Sequence, residues 1–86
     1  MYEAIFSRQA RKAFMALSDP EARRVRAAIL ELAQNPRGRG TLKLEHAPVA
    51  EYRRRVGNLR ILFDIDDSAQ RLEILDIRMR NERTYR

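Results

Sequence analysis

The sequence predicts an α+β fold in which a two-helix hairpin packs on one face of an antiparallel sheet, in the order β-α-α-β-β-β. Two observations lead to this prediction. Apolar residues recur at helical spacing as far as Asn35, and from Glu51 onward they alternate with polar residues as in half-buried strands. The length of 86 residues suits one core. We therefore expect residues 1–86 to fold as a single domain.

The first elements are a short strand and a helix. Tyr2 to Phe6 has strand character, and Ser7 is a suitable N-cap for a helix running to about Leu17. Apolar side chains on one face of this helix would pack on the sheet.

A second helix is predicted from the dipeptide Asp19-Pro20, with Asp19 as N-cap and Pro20 at the first helical position. It should end at Asn35, because a residue that precedes proline is disfavoured in the helical conformation. Its outer face carries basic residues, which we interpret as solvated surface. These are Arg23, Arg24 and Arg26.

The remainder of the chain predicts a loop and three strands. Residues 36–41 form a basic, glycine-containing loop, and the alternating segments are 51–56, 59–65 and 71–77. Gly57-Asn58 separates the first two segments, and the turn-forming run at residues 66–69 separates the second two. Both joints are typical of hairpin turns.

The predicted central hairpin separates an apolar face from an arginine-rich face. Leu59, Ile61, Phe63 and Ile65 should face the helices together with Tyr52 and Val56. The opposite face should carry Arg53, Arg55, Arg60 and Leu62. A two-residue turn places Arg55 directly across from Arg60, and like charges in that arrangement are destabilising. A bound phosphate would relieve the repulsion, so we favour an anion site over a solvated charged face.

Arg54 falls on the apolar side of the same strand. We expect it to lie near a sheet edge, where its head can reach solvent or pair with a carboxylate.

The basic composition indicates an anionic partner. Lys and Arg total 18 against 12 Asp and Glu, which gives a net charge of +6, and only Lys12 and Lys43 are lysines. Guanidinium groups bind phosphate bidentately, which favours a nucleic acid or an acidic protein as partner. An arginine-rich proteome would produce the same bias without any such role.

The missing residue types exclude several classes of site. The chain has no cysteine, which excludes disulfides and cysteine-based metal sites and favours a cytoplasmic location. We expect no signal peptide, no membrane span, no metal and no cofactor. The only histidine, His46, is interpreted as a surface loop residue. Arginine cannot act as a base at neutral pH, so Tyr85 is the candidate base, with a terminal packing role equally compatible with the sequence.

The ordered set of motifs resembles the RelE/ParE toxin superfamily. The run EYRRRVGNLRILFDIDD and the later LEILDIRMRNERTY carry this resemblance. They contain a tyrosine with alternating basic residues, a glycine turn, an arginine opening the next strand, and a late Ile-x-x-Arg that leads to a tyrosine. The resemblance covers nearly the whole chain and implies a toxin of a type II toxin-antitoxin system.

The RelE branch of that family implies ribosome-dependent cleavage of mRNA by attack of the ribose 2′-hydroxyl on its own phosphate. Arg53 and Arg55 match the basic residues before the turn, and Arg60 matches the arginine that stabilises the phosphate. Arg80 matches the late arginine, and Tyr85 the tyrosine implicated in proton transfer. Arginine in place of lysine at positions 53 and 55 removes a lysine as candidate base.

The resemblance also implies RNA and protein partners. The residues expected to contact RNA are Arg53, Arg55, Lys43, Arg37 and Arg39. A cognate acidic antitoxin is expected to bind the basic surface in a hetero-oligomeric complex. Two alternatives remain open: a ParE-like toxin that inhibits DNA gyrase, and a non-catalytic relative that only binds RNA or protein.

Overall fold

The computed structural model describes residues 1–45 and 49–79 of the chain. In chain order the elements are β1 (Glu3–Phe6), α1 (Arg8–Met15), α2 (Asp19–Gln34), β2 (Thr41–Lys43), β3 (Tyr52–Val56), β4 (Leu59–Asp66) and β5 (Arg71–Met79). The strands form one sheet in the order β1-β5-β4-β3-β2. Both helices pack against this sheet, so the predicted α+β class is confirmed. Among the described residues, no helix is long and apolar enough to cross a membrane.

Two strand pairings were not predicted from the sequence. The first is the three-residue β2, which pairs antiparallel with β3 through Thr41↔Arg54 and Lys43↔Tyr52. A strand this short has too few residues for its alternation to be recognised. The second is the parallel pairing of β1 with β5, from Glu3↔Arg71 to Phe6↔Ile74. The sheet is therefore mixed, with one parallel edge.

The helix caps correct one prediction. Ser7 is the N-cap of α1, as expected, but Ser18 rather than Asp19 is the N-cap of α2. Ser18 Oγ accepts from the Glu21 backbone N–H at 3.3 Å, and Glu21 Oε1 accepts from the Ser18 N–H at 3.0 Å. This reciprocal capping box satisfies two backbone donors at once. Asp19 lies instead in the first turn of α2, where its negative charge interacts favourably with the helix dipole.

The core lies between α2 and the centre of the sheet. Val25 and Leu32 of α2 are fully buried, as are Ile61 and Phe63 of β4 and Ile74 of β5. Phe63 also stacks on Tyr52, with ring centroids 5.8 Å apart. The prediction that the apolar face of the central hairpin meets the helices is therefore confirmed.

Hydrogen bonds among three side chains connect the residue before β1, the segment after α2 and the β4–β5 turn. Arg37 donates from both terminal nitrogens to the carboxylate of Asp67, at 3.1 and 3.0 Å, and the Tyr2 hydroxyl donates to the same carboxylate at 2.6 Å. The hydrogen bond from Arg37 is the main cause that lowers the pKa of Asp67. The hydrogen bond to Asp67 is the main cause that raises the pKa of Tyr2.

This network predicts a pH-dependent contribution to stability. The contribution of Asp67 is complete above its ordinary pKa of 3.8 and is lost as the pH falls through the lower value of the folded state. That of Tyr2 is complete below its ordinary pKa of 10.0 and is lost as the pH rises through the higher folded value. Asp67→Asn should therefore lower the Tm at pH 7, with a difference from the wild type that shrinks in strong acid. Thermal unfolding at several pH values tests this, with Glu45→Gln at an exposed carboxyl as control. A Tm difference independent of pH would contradict the assignment.

Candidate nucleic-acid interface

The hairpin of β3 and β4 fixes the first two arginines of the site. Val56 pairs with Leu59 across the two-residue turn, and Gly57 adopts a φ of 58°, a left-handed conformation that suits glycine. Arg55 is therefore the direct partner of Arg60, as predicted. Cross-strand partners share a face, and Ile61 next in the chain is buried against the helices. The two arginines lie on the opposite side of the sheet.

A third arginine joins this pair because of a β-bulge. The register of β4 with β5 runs from Asp66↔Arg71 to Phe63↔Ile74, then shifts by one residue so that Leu62 pairs with Asp76. Beyond the shift, Arg60 pairs with Arg78. Three neighbouring strands thus present a row of arginines, hereafter the arginine row, which consists of Arg55, Arg60 and Arg78. With strands about 4.8 Å apart, the row spans roughly 10 Å.

Two residues along each strand from the row, on the same face of the sheet, a second set of cross-strand partners consists of Arg53, Leu62 and Asp76. Arg53 is partly buried, Leu62 is 6% exposed and Asp76 is 4% exposed. A buried carboxylate is costly unless it is paired and hydrogen-bonded. Asp76 has such partners: Arg78 Nε donates to it at 2.8 Å, Gln9 Nε2 at 2.9 Å and the Ile77 backbone N–H at 2.8 Å.

Gln9 reaches Asp76 because α1 begins at the exposed edge of β5. The pairing of β1 with β5 ends at Phe6↔Ile74, and the start of α1 borders the strand from there. The Ser7 backbone N–H donates to Ile74 O at 2.9 Å, and Ser7 Oγ donates to Leu75 O at 2.8 Å. The same serine caps the helix, so the first turn of α1 is anchored beside the carboxylate.

The face that carries the row has opposite charges at its two ends. Towards the β4–β5 turn, the same alternation places acidic residues on this face, and Asp64 pairs with Glu73 there. Asp66 follows on the same side, paired with Arg71. Because an anionic ligand is attracted to the basic end and repelled from the acidic end, the charges favour the basic end of this face for such a ligand.

The other predicted contact residues lie away from the row. Arg37 is held by Asp67 and lies over the Tyr52 ring at 5.6 Å, at the opposite end of β4 from Arg60. Lys43 pairs with Tyr52, so it belongs to the helix-facing side of an edge strand. Arg39 is exposed in the segment before β2. Arg80, Tyr85 and His46 are outside the described residues.

Arg54 behaves as predicted for a cation on the apolar side of β3. It forms an ion pair with Glu31 of α2 at 2.5 Å, and its side chain is only 17% exposed. A Cβ at Gly40, which has a φ of 92°, would lie 2.9 Å from Arg54 Nε. The pair ties α2 to β3, so this arginine serves the fold rather than the arginine row.

Three residues of the site were missed by sequence reasoning: Gln9, Asp76 and Arg78. A regular register continued from Asp66↔Arg71 would pair Arg60 with Ile77 and direct Arg78 towards the helices. The bulge leaves no clear mark in the run RLEILDIRM, since both Leu75 and Ile77 are apolar. Gln9 is contributed by a remote helix, and no local pattern identifies it.

Comparison with known proteins assigns the chain to a family. Residues 4–84 match the family described as ParE toxin of type II toxin-antitoxin system, parDE. No curated protein matches the sequence.

Solved structures of similar proteins extend the match to the fold. RelE in the RelE–RelB complex from Pyrococcus horikoshii is 25% identical with a TM-score of 0.80, and covers 94% of this chain and 97% of its own. A chain of the RelBE2 toxin-antitoxin complex from Mycobacterium tuberculosis is 26% identical, with a TM-score of 0.71. The match covers 92% of this chain and 98% of that chain. The isolated E. coli RelE toxin, at 18% identity, shares the fold with a TM-score of 0.80 over 99% of this chain and 93% of its own. This chain therefore belongs to the RelE/ParE family of type II toxin-antitoxin toxins.

Proposed function

We propose that this toxin cleaves mRNA on the translating ribosome and thereby inhibits translation in the cytoplasm. The observation that carries the proposal is the arginine row on the side of the sheet that faces away from the helices. Guanidinium groups at adjacent positions of a sheet repel one another. The Asp76 carboxylate offsets part of the charge of Arg78, and a phosphate placed among the three arginines would reduce the repulsion further. The family resemblance supplies the reaction, since RelE-like toxins cut mRNA without a metal.

The reaction places specific demands on these residues. When the ribose O2′ attacks the adjacent phosphorus, an O2′–P bond forms and the P–O5′ bond breaks, with O5′ taking up a proton from water. Negative charge grows on the phosphate oxygens as this happens. Donors that are fixed before the reaction stabilise such charge more strongly than mobile water does. Arg60, at the centre of the row, is assigned the main share of this stabilisation, with Arg53 and Arg55 of β3 binding the RNA beside it.

The proton leaving O2′ needs an acceptor, and arginine cannot serve. Tyr85 is the proposed base, because nearby cationic charge lowers the pKa of a phenol. Arg80 is assigned a supporting role at the phosphate. Both assignments derive from the family resemblance.

An acidic antitoxin is the proposed protein partner. The protein carries a net charge of +6, and the related RelE proteins from P. horikoshii and M. tuberculosis were solved as complexes with their antitoxins. A partner segment that covered the arginine row would compete directly with RNA. Co-expression of the antitoxin should therefore abolish toxicity.

Inhibition of DNA gyrase is a second candidate, favoured by the match to the ParE toxin family. In that reading the arginine row contacts gyrase or its DNA rather than mRNA.

Induction of the toxin in cells, with two readouts, distinguishes these activities. Messages cut at codon-linked positions, with intact chromosomal DNA, are the expected result. DNA double-strand breaks with intact messages would replace the proposal with the gyrase-directed activity. Neither effect, in cells that express the folded protein, would favour a relative that only binds its partners.

A further inference from the structure

The contacts of Arg78 differ from those of Arg37 and Arg54, which are also ion-paired. Arg37 and Arg54 bind their carboxylates through terminal nitrogens. Arg78 binds Asp76 through Nε, and its terminal nitrogens make no hydrogen bond to any residue the structure describes. Its side chain is 47% exposed. The guanidinium is thus held through Nε, and nearly half of the side chain is exposed.

The group that holds it is itself fixed. Asp76 is 4% exposed, and its two oxygens accept from Arg78, Gln9 and the Ile77 backbone. A carboxylate with these partners has little freedom to rotate, and an arginine bonded to it loses part of its rotamer freedom before any ligand binds. Ordering an exposed arginine on binding costs free energy, and this arrangement removes part of that cost.

We propose that Arg78 binds a phosphate of the RNA through its terminal nitrogens, and that Asp76 and Gln9 are positioning residues that hold it in the arginine row. The inference deepens the proposed function and rests on it, because RNA is the ligand. The terminal nitrogens of an arginine match two oxygens of one phosphate. The register places Arg78 directly beside Arg60, so the two can share a phosphate or bind successive ones.

The test measures binding of a short single-stranded oligonucleotide with 2′-deoxyribose, which cannot be cleaved by 2′-hydroxyl attack. Fluorescence anisotropy over a range of salt concentrations gives the affinity and its salt dependence. Arg78→Ala should weaken binding about tenfold, as expected for a charged hydrogen bond, and reduce the salt slope by about 0.7 for one lost contact. Arg23→Ala, which removes the same charge from the exposed face of α2, should leave the slope unchanged.

A double-mutant cycle tests the positioning role. Asp76→Asn and Gln9→Ala should each weaken binding less than Arg78→Ala does, and neither should weaken it further in the Arg78→Ala background. Gln9 is exposed, and alanine favours helix, so Gln9→Ala retains the fold even if Asp76→Asn does not. Additive losses would show that Asp76 and Gln9 act independently of Arg78 and would overturn the positioning role.

The outcome is separable from that of the proposed function. Equal effects of Arg78→Ala and Arg23→Ala, or no binding of the oligonucleotide by the wild type, would overturn the phosphate contact even if messages are still cut on ribosomes. Conversely, a protein that binds through Arg78 but cuts no message would retain this inference and lose the proposed reaction.

Discussion

Arg60→Ala is expected to fold as the wild type does and to cleave mRNA roughly a hundred to a thousand times more slowly. Arg60 lies between Arg55 and Arg78 in the row, so a phosphate bound there is within reach of its guanidinium. The loss is expected in the rate of cleavage, because the charge that Arg60 is proposed to stabilise develops in the transition state, as O2′ attacks the phosphorus and the P–O5′ bond breaks. Its side chain leaves β4 on the face opposite the helices, so truncation leaves the packing between α2 and the sheet intact.

Further variants distinguish the effect of the Arg60 charge from the effect of the shape of its guanidinium group. Arg60→Lys should restore only part of the rate, because a single ammonium cannot reproduce the bidentate fork. Arg23→Ala, with the same change in net charge, should cleave at the wild-type rate. Tyr85→Phe tests the proposed base independently. If a folded Arg60→Ala protein cleaved mRNA at the wild-type rate, the role proposed for the arginine row in the reaction would be wrong.

The second large effect is on stability. Phe63→Ala should raise the unfolded fraction strongly, because Phe63 is fully buried at the centre of the sheet and stacks on Tyr52. Truncation of a buried phenylalanine costs about 3–5 kcal/mol. Proteins of this size have a free energy of unfolding of roughly 4–13 kcal/mol, at about 0.05–0.15 kcal/mol per residue. The substitution would therefore remove a large share of the free energy of unfolding.

Urea unfolding followed by circular dichroism measures this loss. Leu30→Ala is the control, since Leu30 lies on α2 with 59% of its surface exposed and should cost little. Similar midpoints for the two variants would contradict the placement of the core between α2 and β4.

The central hairpin could be predicted from the sequence because its signals are local. Gly57-Asn58 fixes a two-residue turn, and the alternation of Leu59, Ile61 and Phe63 fixes which face is buried. Together they determine the pairing of Arg55 with Arg60. The break at Asn35 and the cap at Ser7 are local for the same reason.

The missed features depend on interactions between distant segments. Because of the bulge opposite Leu62 and Phe63, Arg78 rather than Ile77 pairs with Arg60. The sequence of β5 alone does not predict this bulge. The parallel pairing of β1 depends on the path of the whole chain. At α2, Asp19 and Ser18 are both good caps, and the contact of Ser18 with Glu21 decides between them.

The most direct test of the proposed reaction is the chemistry of the ends made on programmed ribosomes. Purified toxin is added to ribosomes that hold a defined message, and the fragments are labelled at their new 5′ ends by polynucleotide kinase without prior phosphatase treatment. Attack by the 2′-hydroxyl predicts 5′-hydroxyl ends and 2′,3′-cyclic phosphates at codon-linked positions, only when ribosomes are present and with little product from Arg60→Ala. An intact message on programmed ribosomes, or fragments that carry 5′-phosphates, would contradict the account.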